Sequence, residues 1–245
     1  MVEVKKYIWL NSTMNIRIDQ MQNKNLTRSI FQRQPDKVES LLASNPSLAF
    51  EIYPEDILYE QIPHWMYKGD TLLHLAAALH HYDIVSILLA SGLDPTAAGK
   101  RGGNSLHYAA DGHPPAKSWN GHDQVETIKI LLAAGAPIDG QDKNGATPLH
   151  RATRTRCADA TETFISMGCD PELKNNSGST AFHLAVQTTG RGQSGSDASR
   201  FAQEEIVKSF LRHLVPIDLT DGKGRTVFQA ASRPEIKALF EQSNG

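Results

Sequence analysis

Residues 145–152 read Gly145-Ala146-Thr147-Pro148-Leu149-His150-Arg151-Ala152. This octet has the marks of a helix start. Thr147 is a side chain that caps exposed amides, and Pro148 suits the first helical turn, where its missing N–H is no loss. The same pattern returns at a fixed interval. Gly178-Ser179-Thr180-Ala181-Phe182-His183-Leu184-Ala185 places its histidine 33 residues after His150. Upstream stand Gly102-Gly103-Asn104-Ser105-Leu106-His107-Tyr108-Ala109 and Gly69-Asp70-Thr71-Leu72-Leu73-His74-Leu75-Ala76, with His74 and His107 again 33 residues apart. Downstream, Gly224-Arg225-Thr226-Val227-Phe228-Gln229-Ala230-Ala231 carries Gln229 in the histidine's place.

A second ladder keeps step with the first. Apolar pairs stand near the end of each unit: Leu88-Leu89, Leu131-Leu132, Phe164-Ile165 and Phe210-Leu211. Gly92, Gly135 and Gly168 follow three of them by three residues, where a helix ends in the left-handed conformation that glycine adopts without steric cost. Leu214 takes that place in the fourth. Ala76, Ala109, Ala152, Ala185 and Ala231 recur just after the histidine position, small enough to let neighbouring helices approach closely.

Two ladders sharing one period resemble the ankyrin repeat, a unit of about 33 residues with a Thr-Pro-Leu-His signature, a β-turn and two antiparallel helices. The resemblance covers roughly residues 26–243 and is fullest in the repeat that starts at Asp142. It implies an all-α fold: an ankyrin-repeat solenoid of stacked helix-turn-helix units with β-turn or hairpin fingers. About four to five repeats are recognisable, with a degenerate amino-terminal capping repeat before them. No unit buries its own apolar face, so the stack must be contiguous. The expected organisation is a non-repeat segment at 1–25, a capping repeat with an acidic, aromatic loop at 26–65, and the repeat domain at 66–243.

Two intervals exceed the period. His107 to His150 spans 43 residues and His183 to Gln229 spans 46. The ladders place both insertions between the two helices of their units, near 113–122 and 189–201, in stretches rich in Gly, Pro and Ser. They occur in alternate repeats at one place in the unit, so both emerge on one face. Flanking a short-looped repeat, they would form a cleft; the plainer reading is tolerated surface insertion. Residues 50–65 replace the usual short hairpin and hold Glu51, Glu55, Asp56 and Glu60 beside Phe50, Tyr53, Tyr59 and Trp65. That segment is either a contact element or a cover for the open end of the stack. Pro234–Glu241 reads as a shortened last helix with Ile236, Leu239 and Phe240 inward.

The chain of 245 residues is 40% hydrophobic and 21% charged, with a formal net charge of −2. That balance points to neither nucleic acid nor an anionic membrane as partner. Cys157 and Cys169 are too few for a disulfide framework and form no CxxC pair, which suits a reducing, cytoplasmic setting. No apolar run is long enough for a membrane span or signal peptide, so the three Asn-X-Ser/Thr sequons are expected to stay unmodified.

Candidate chemistry is weak. In the family, the histidine of the signature ties helix starts to neighbouring turns, which is the role implied for His74, His107, His150 and His183. His113 and His122, near Asp111 and Asp123, match no metal-ligand spacing. Gly190-Arg191-Gly192-Gln193-Ser194-Gly195 satisfies GxGxxG but sits between two helices of one repeat, outside any βαβ unit. His80-His81 follows a first helix and is expected to face solvent. No catalytic, cofactor or metal residues are assigned, and no cofactor is expected.

Members of the family bind partners through turn tips and the inner helix face. Carried onto this chain, that implies a surface of Lys100, Arg101, Lys143, Asn144, Arg151, Arg154, Lys174, Lys223 and Arg225, with Trp119 from the first insertion. The tips are basic, whereas the second helices carry Asp83, Glu126, Glu162, Glu204 and Glu205. The expected function is a non-enzymatic protein-interaction module, an adaptor, inhibitor or regulatory partner. It would act as a monomer on another protein with an acidic surface, without nucleic acid or membrane. The alternatives are the scaffold part of an enzyme, a host-directed bacterial effector, and a nucleic-acid binder, against which the missing interleaved aromatics speak.

Overall fold

The computed structural model describes residues 24–59, 62, 65–112, 114, 120–187 and 196–243. Helices come in pairs: α1 (Lys24–Phe31) with α2 (Pro35–Ser44), α3 (Leu72–Ala78) with α4 (Tyr82–Ala90), and α5 (Ser105–Ala110) with α6 (Gly121–Ala133). Next come α7 (Pro148–Arg154) with α8 (Ala158–Ser166) and α9 (Ala181–Val186) with α10 (Asp197–Arg212). The order closes on α11 (Val227–Ala230) and α12 (Pro234–Ser243). Each first helix packs on the next first helix, from α1 to α11, and each second helix on the next second helix, from α2 to α12. The fold is thus an all-α arrangement of repeated pairs in two files.

The signature residues make the pairs repeat. Thr147, Thr180 and Thr226 cap α7, α9 and α11, and Asn104 caps α5. The ring at the third helical position turns back to the cap: the Thr71 amide donates to His74 Nδ1 at 3.1 Å and the Thr147 amide to His150 Nδ1 at 3.3 Å. With Nδ1 accepting, Nε2–H is free to donate across the repeat boundary. His74 reaches the Gly103 carbonyl (3.2 Å), His107 that of Ala146 (3.0 Å), His150 that of Ser179 (3.0 Å) and His183 that of Arg225 (3.2 Å). Each neutral ring therefore fastens one helix start to the next finger. Gln229 keeps the local half of this bond, its Oε1 accepting from the Thr226 amide at 2.9 Å.

The apolar ladder fills the space between the files. Ala76, Ala109, Ala152, Ala185 and Ala231 are buried, as are Leu88, Leu131, Phe164 and Phe210. Phe182 stacks on Phe210 with ring centroids 4.4 Å apart. Gly92, Gly135 and Gly168 end their helices at φ of 90°, 94° and 84°, and Leu214 is forced to φ 56° in the same role. In α12, Ile236 and Phe240 face inward.

Three expectations change. First, α6 starts at Gly121, capped by Asn120, so His122 is helical rather than part of a loop. Second, Asp197–Phe201 extend α10 to 16 residues. This stretch lacks Gly and Pro, and the Ser196 hydroxyl caps it by accepting the Ser199 amide at 3.2 Å. The GxGxxG stretch, His113 and residues 115–119 lie outside the described residues, as do residues 188–195 and 1–23. Third, His80 and His81 do not face solvent. His80 Nε2–H is shared between the Ala109 and Asp111 carbonyls (3.1 and 3.0 Å), and His81 Nδ1–H donates to the Ile30 carbonyl at 2.9 Å. The lengthened connection after α5 leaves the Ala109 and Asp111 carbonyls without a closing turn, and the His80 ring from the preceding pair satisfies them.

The acidic, aromatic segment divides its side chains. A 3₁₀ turn at Pro46–Phe50 leads to the strand β1 (Ile57–Leu58), which pairs antiparallel with β2 (Trp65–Met66). Tyr53 and Tyr59 are buried, Tyr59 edge-on to Phe31 of α1 at 4.6 Å, whereas Phe50 and Trp65 are exposed.

Candidate functional site

Each finger is a turn pivoting on a glycine with positive φ, and the fingers are bonded to one another. The Lys100 amide donates to the Lys68 carbonyl (3.2 Å), the Lys143 amide to that of Arg101 (2.9 Å), and the Asn176 amide to that of Asn144 (2.9 Å). Asp142 shapes its own finger by accepting the Asn144 and Ala146 amides at 2.8 and 3.0 Å. Asp221 repeats this with Lys223 and Arg225, whose amide leads the interactions that hold the carboxyl down at about 2. The tips consequently form one row exposing Lys100, Arg101, Lys143, Asn144, Lys174, Lys223 and Arg225.

These side chains are not equally available. Lys100 Nζ pairs with Asp56 at 3.0 Å, and the Arg101 guanidinium lies over the Tyr67 ring, 5.2 Å from its centroid. Arg225 is drawn to Asp221 at 2.7 Å. Lys143, Lys174 and Lys223 carry no ion pair among the described residues. The acidic segment thus neutralises Lys100 on the second finger, a relation hidden in the sequence because Asp56 and Lys100 lie 44 residues apart.

The inner-helix arginines need a correction. Arg151 is not an open contact residue: its side chain is 11% exposed and bridges Asp111 and Asp142, each at 2.9 Å. Burial alone would lower its pKa, but the two carboxylates more than offset that and raise it. Burial likewise pushes the Asp142 carboxyl up, and Arg151 outweighs it, leaving Asp142 below its ordinary value. This buried triad holds the third finger against α5 and α7. Arg154, with its side chain 59% exposed, stays open beside Asp111 at 3.5 Å. Trp119 lies outside the described residues.

The second file is acidic in composition but largely paired. Arg33 bridges Asp83 and Asp123, Lys129 meets Glu126, Arg212 meets Glu162 and Arg233 meets Glu204. The contrast between a basic row of tips and an acidic back is smaller than composition alone implies. Cys157 and Cys169 are buried free thiols, both pushed up to about 12 by burial, far from the thiolate that nucleophilic chemistry needs. Among the described residues no group of three or more His, Cys, Asp or Glu is placed to hold a metal ion. Nor is any helix there long and apolar enough to cross a membrane.

Comparison with known proteins fits this geometry. A family model for ankyrin repeats in three copies matches residues 116–194, and a single ankyrin repeat matches 68–100. The chain is similar to E3 ubiquitin-protein ligase KEG of Arabidopsis thaliana, 26% identical over 149 residues, covering 59% of this chain and 8% of that protein. It is 32% identical over 128 residues to Protein PhlB of Serratia liquefaciens, covering 51% of this chain and 52% of that one. It is 36% identical over 86 residues to mouse protein phosphatase 1 regulatory subunit 12A, covering 35% of this chain and 7% of that protein. The matched region spans about half of PhlB and less than a tenth of the other two.

Proposed function

The chain belongs to the ankyrin-repeat family, and on that footing we propose that it is a non-enzymatic protein-interaction module whose row of finger tips grips an acidic partner surface. One observation carries the reading: the backbone bonds from Lys143 to Arg101 and from Asn176 to Asn144 lock neighbouring fingers in register. Lys143, Asn144 and Lys174 therefore stand in a pre-ordered line, and the close approach of Gly178 to Gly222 sets the finger of Lys223 beside them. Pre-ordering spares a partner the entropy of arranging them, and a line of cations steers an acidic surface toward it. Arg154 extends the line onto the inner helix. Arg151 supports it from beneath without touching the partner.

The rest of the proposal follows from the same frame. Residues 26–65 act as the amino-terminal cap, with Tyr53 and Tyr59 covering the core. The repeat domain at 66–243 acts as a single copy. Two buried thiols with no disulfide suit a reducing, cytoplasmic compartment. The test is capture of partners at low and at moderate salt, with the wild type and with Lys143→Glu combined with Lys174→Glu. A partner lost in the double variant and weakened by salt, with the thermal melt unchanged, supports the proposal. A partner retained under both conditions rejects it.

A further inference from the structure

Buried carboxylates in this chain come with a cation, except one. Among the described residues four aspartates are buried: Asp70, Asp111, Asp142 and Asp221. Asp111 and Asp142 share Arg151, and Asp221 holds Arg225. Asp70 is 0% exposed and has no ion pair among the described residues. It sits in the first finger, where the Ile52–Thr71 bridge continues the register of β1 and β2. Its Oδ2 accepts both the Tyr67 amide, at 2.6 Å, and the Tyr108 hydroxyl. Its Oδ1 is buried with no hydrogen-bond partner among the described residues. That oxygen lies against the second finger, where a Cβ built on Gly99 would stand 1.7 Å from it.

A carboxylate so placed is costly, because a buried charge without a counter-ion loses its hydration for little return. The neighbouring charges are committed elsewhere. On the ribbon side, Tyr53 is buried and Asp56 is held by Lys100 at 3.0 Å. On the second finger, the Arg101 guanidinium lies over the Tyr67 ring. From α3, His74 meets Tyr108 edge-on and donates to the Gly103 carbonyl. From α7, Arg151 lies 5.9 Å from the centre of the Tyr108 ring, bound to Asp111 and Asp142. Burial outweighs the two donors and the distant Arg151, and the carboxyl is raised to about 6. A proton on Oδ2 turns the Tyr108 contact round, the acid donating to the phenol oxygen, and leaves Oδ1 a neutral carbonyl. The charged form is relieved only by water, which separation of Gly99 from Asp70 would admit.

We propose that Asp70 is a proton-operated latch on the seam between the first and second fingers: the acid keeps the seam shut, and loss of its proton as pH rises toward neutral loosens it. The sign follows from linkage, since a group that holds its proton more tightly in the shut form favours that form at low pH. The rest of the seam is the Lys100 amide on the Lys68 carbonyl at 3.2 Å, the Lys100–Asp56 pair and the Arg101–Tyr67 contact. Opening therefore frees Lys100 and Arg101. Their joining the cationic row rests on the tip-row reading; the latch does not, and its test needs no partner.

The full chain is followed by amide hydrogen exchange at pH 5 and pH 7.5, each rate corrected for the intrinsic effect of pH. With Asp70 titrating at its ordinary 3.8 in the open seam and at about 6 in the shut one, opening rises about tenfold between the two conditions. Protection of the Tyr67 and Lys100 amides is expected to fall by that factor, and that of Asn176, at a later seam, to stay unchanged. Asp70→Asn, which cannot ionise, is expected to give equal protection at both pH values. The wild-type Asp70 carboxyl carbon is expected to titrate near 6, and Tyr108→Phe, which removes a donor to the carboxylate, to move that midpoint up. Unchanged protection at Tyr67 and Lys100 in the wild type, the same fall in Asp70→Asn, or a wild-type carboxyl midpoint near the ordinary 3.8 would overturn the proposal.

Discussion

Arg156 reaches across the boundary between two helix pairs and donates to the Ala185 carbonyl at 2.8 Å. The same guanidinium takes the Gln187 carbonyl at 2.5 Å, and Gln203 of α10 donates to both carbonyls from the other side. His80 and Gln124 repeat the arrangement at the Ala109–Asp111 end of α5. A helix that runs into a lengthened connection ends in extended backbone at Asp111 or Gln187, so its last carbonyls need side-chain donors. Arg156→Met keeps the apolar stem but removes the donors. Urea unfolding is expected to lose about 2 kcal/mol, since Gln203 still covers part of the deficit. A loss under about 0.5 kcal/mol would show that the cross-boundary bonds carry little.

Finger packing is tested by two glycines that both have positive φ. Gly135 has φ 94° and nothing within 4 Å of an added Cβ, whereas at Gly178, φ 74°, the added atom stands 2.6 Å from Gly222 Cα. Gly135→Ala is expected to cost about 1 kcal/mol for its left-handed conformation alone. Gly178→Ala carries that cost plus separation of two fingers, about 2 kcal/mol more. Equal losses in chemical denaturation would mean that the fingers do not rely on close approach.

Leu214 sits where the other units have glycine, at φ 56° and 87% exposed. It makes no use of its side chain in the core. Leu214→Gly is expected to stabilise the fold by about 1 kcal/mol, raising the denaturation midpoint. A lower midpoint would contradict this reading of the helix end.

The ring at His107 predicts acid sensitivity. Burial, with Arg151 adding to it, pushes His107 down to about 4. Its folded pKa therefore lies below its unfolded one. The stability it supplies is complete above about pH 6.5 and declines as pH falls toward 4, by about 2–3 kcal/mol at pH 4.5. Burial lowers His150 and His183 in the same direction. Asp70 opposes them, because burial raises its carboxyl to about 6 and the fold gains as it protonates. His107→Gln uses the residue that stands in the fifth unit and removes one titration while leaving Asp70 in place. Its stability is expected to fall about 2–3 kcal/mol less than the wild type's between pH 7 and pH 4.5, read by urea unfolding at each pH. Parallel pH profiles would refute the assignment.

What could be read from the sequence was local. Thr147, Pro148 and the Nδ1 side of His150 act within one helical turn, and Gly92, Gly135 and Gly168 act at their own residue, so each announced its job in place. What could not be read depends on partners far along the chain. Arg151 looked like a surface arginine because Asp111 lies 40 residues before it. Nothing local to Arg156 or His80 points to their carbonyl partners, which begin 29 residues ahead. A signal did exist: both stand six residues after a signature histidine, each ahead of a unit with an insertion. The helical Asp197–Phe201 was hidden by the Gly-rich run before it, which drew the whole stretch into a loop.

The most direct test of the tip-row account is site-specific photo-crosslinking in an extract that contains the natural partner. A benzophenone amino acid is placed at Asn144 or Lys174 on the fingers, and at Lys37 or Lys129 on the second helices as controls. The account predicts one discrete protein adduct from both finger positions, reduced by added salt, and none from the controls. Adducts from Lys37 and Lys129, with none from Asn144 or Lys174, would contradict it.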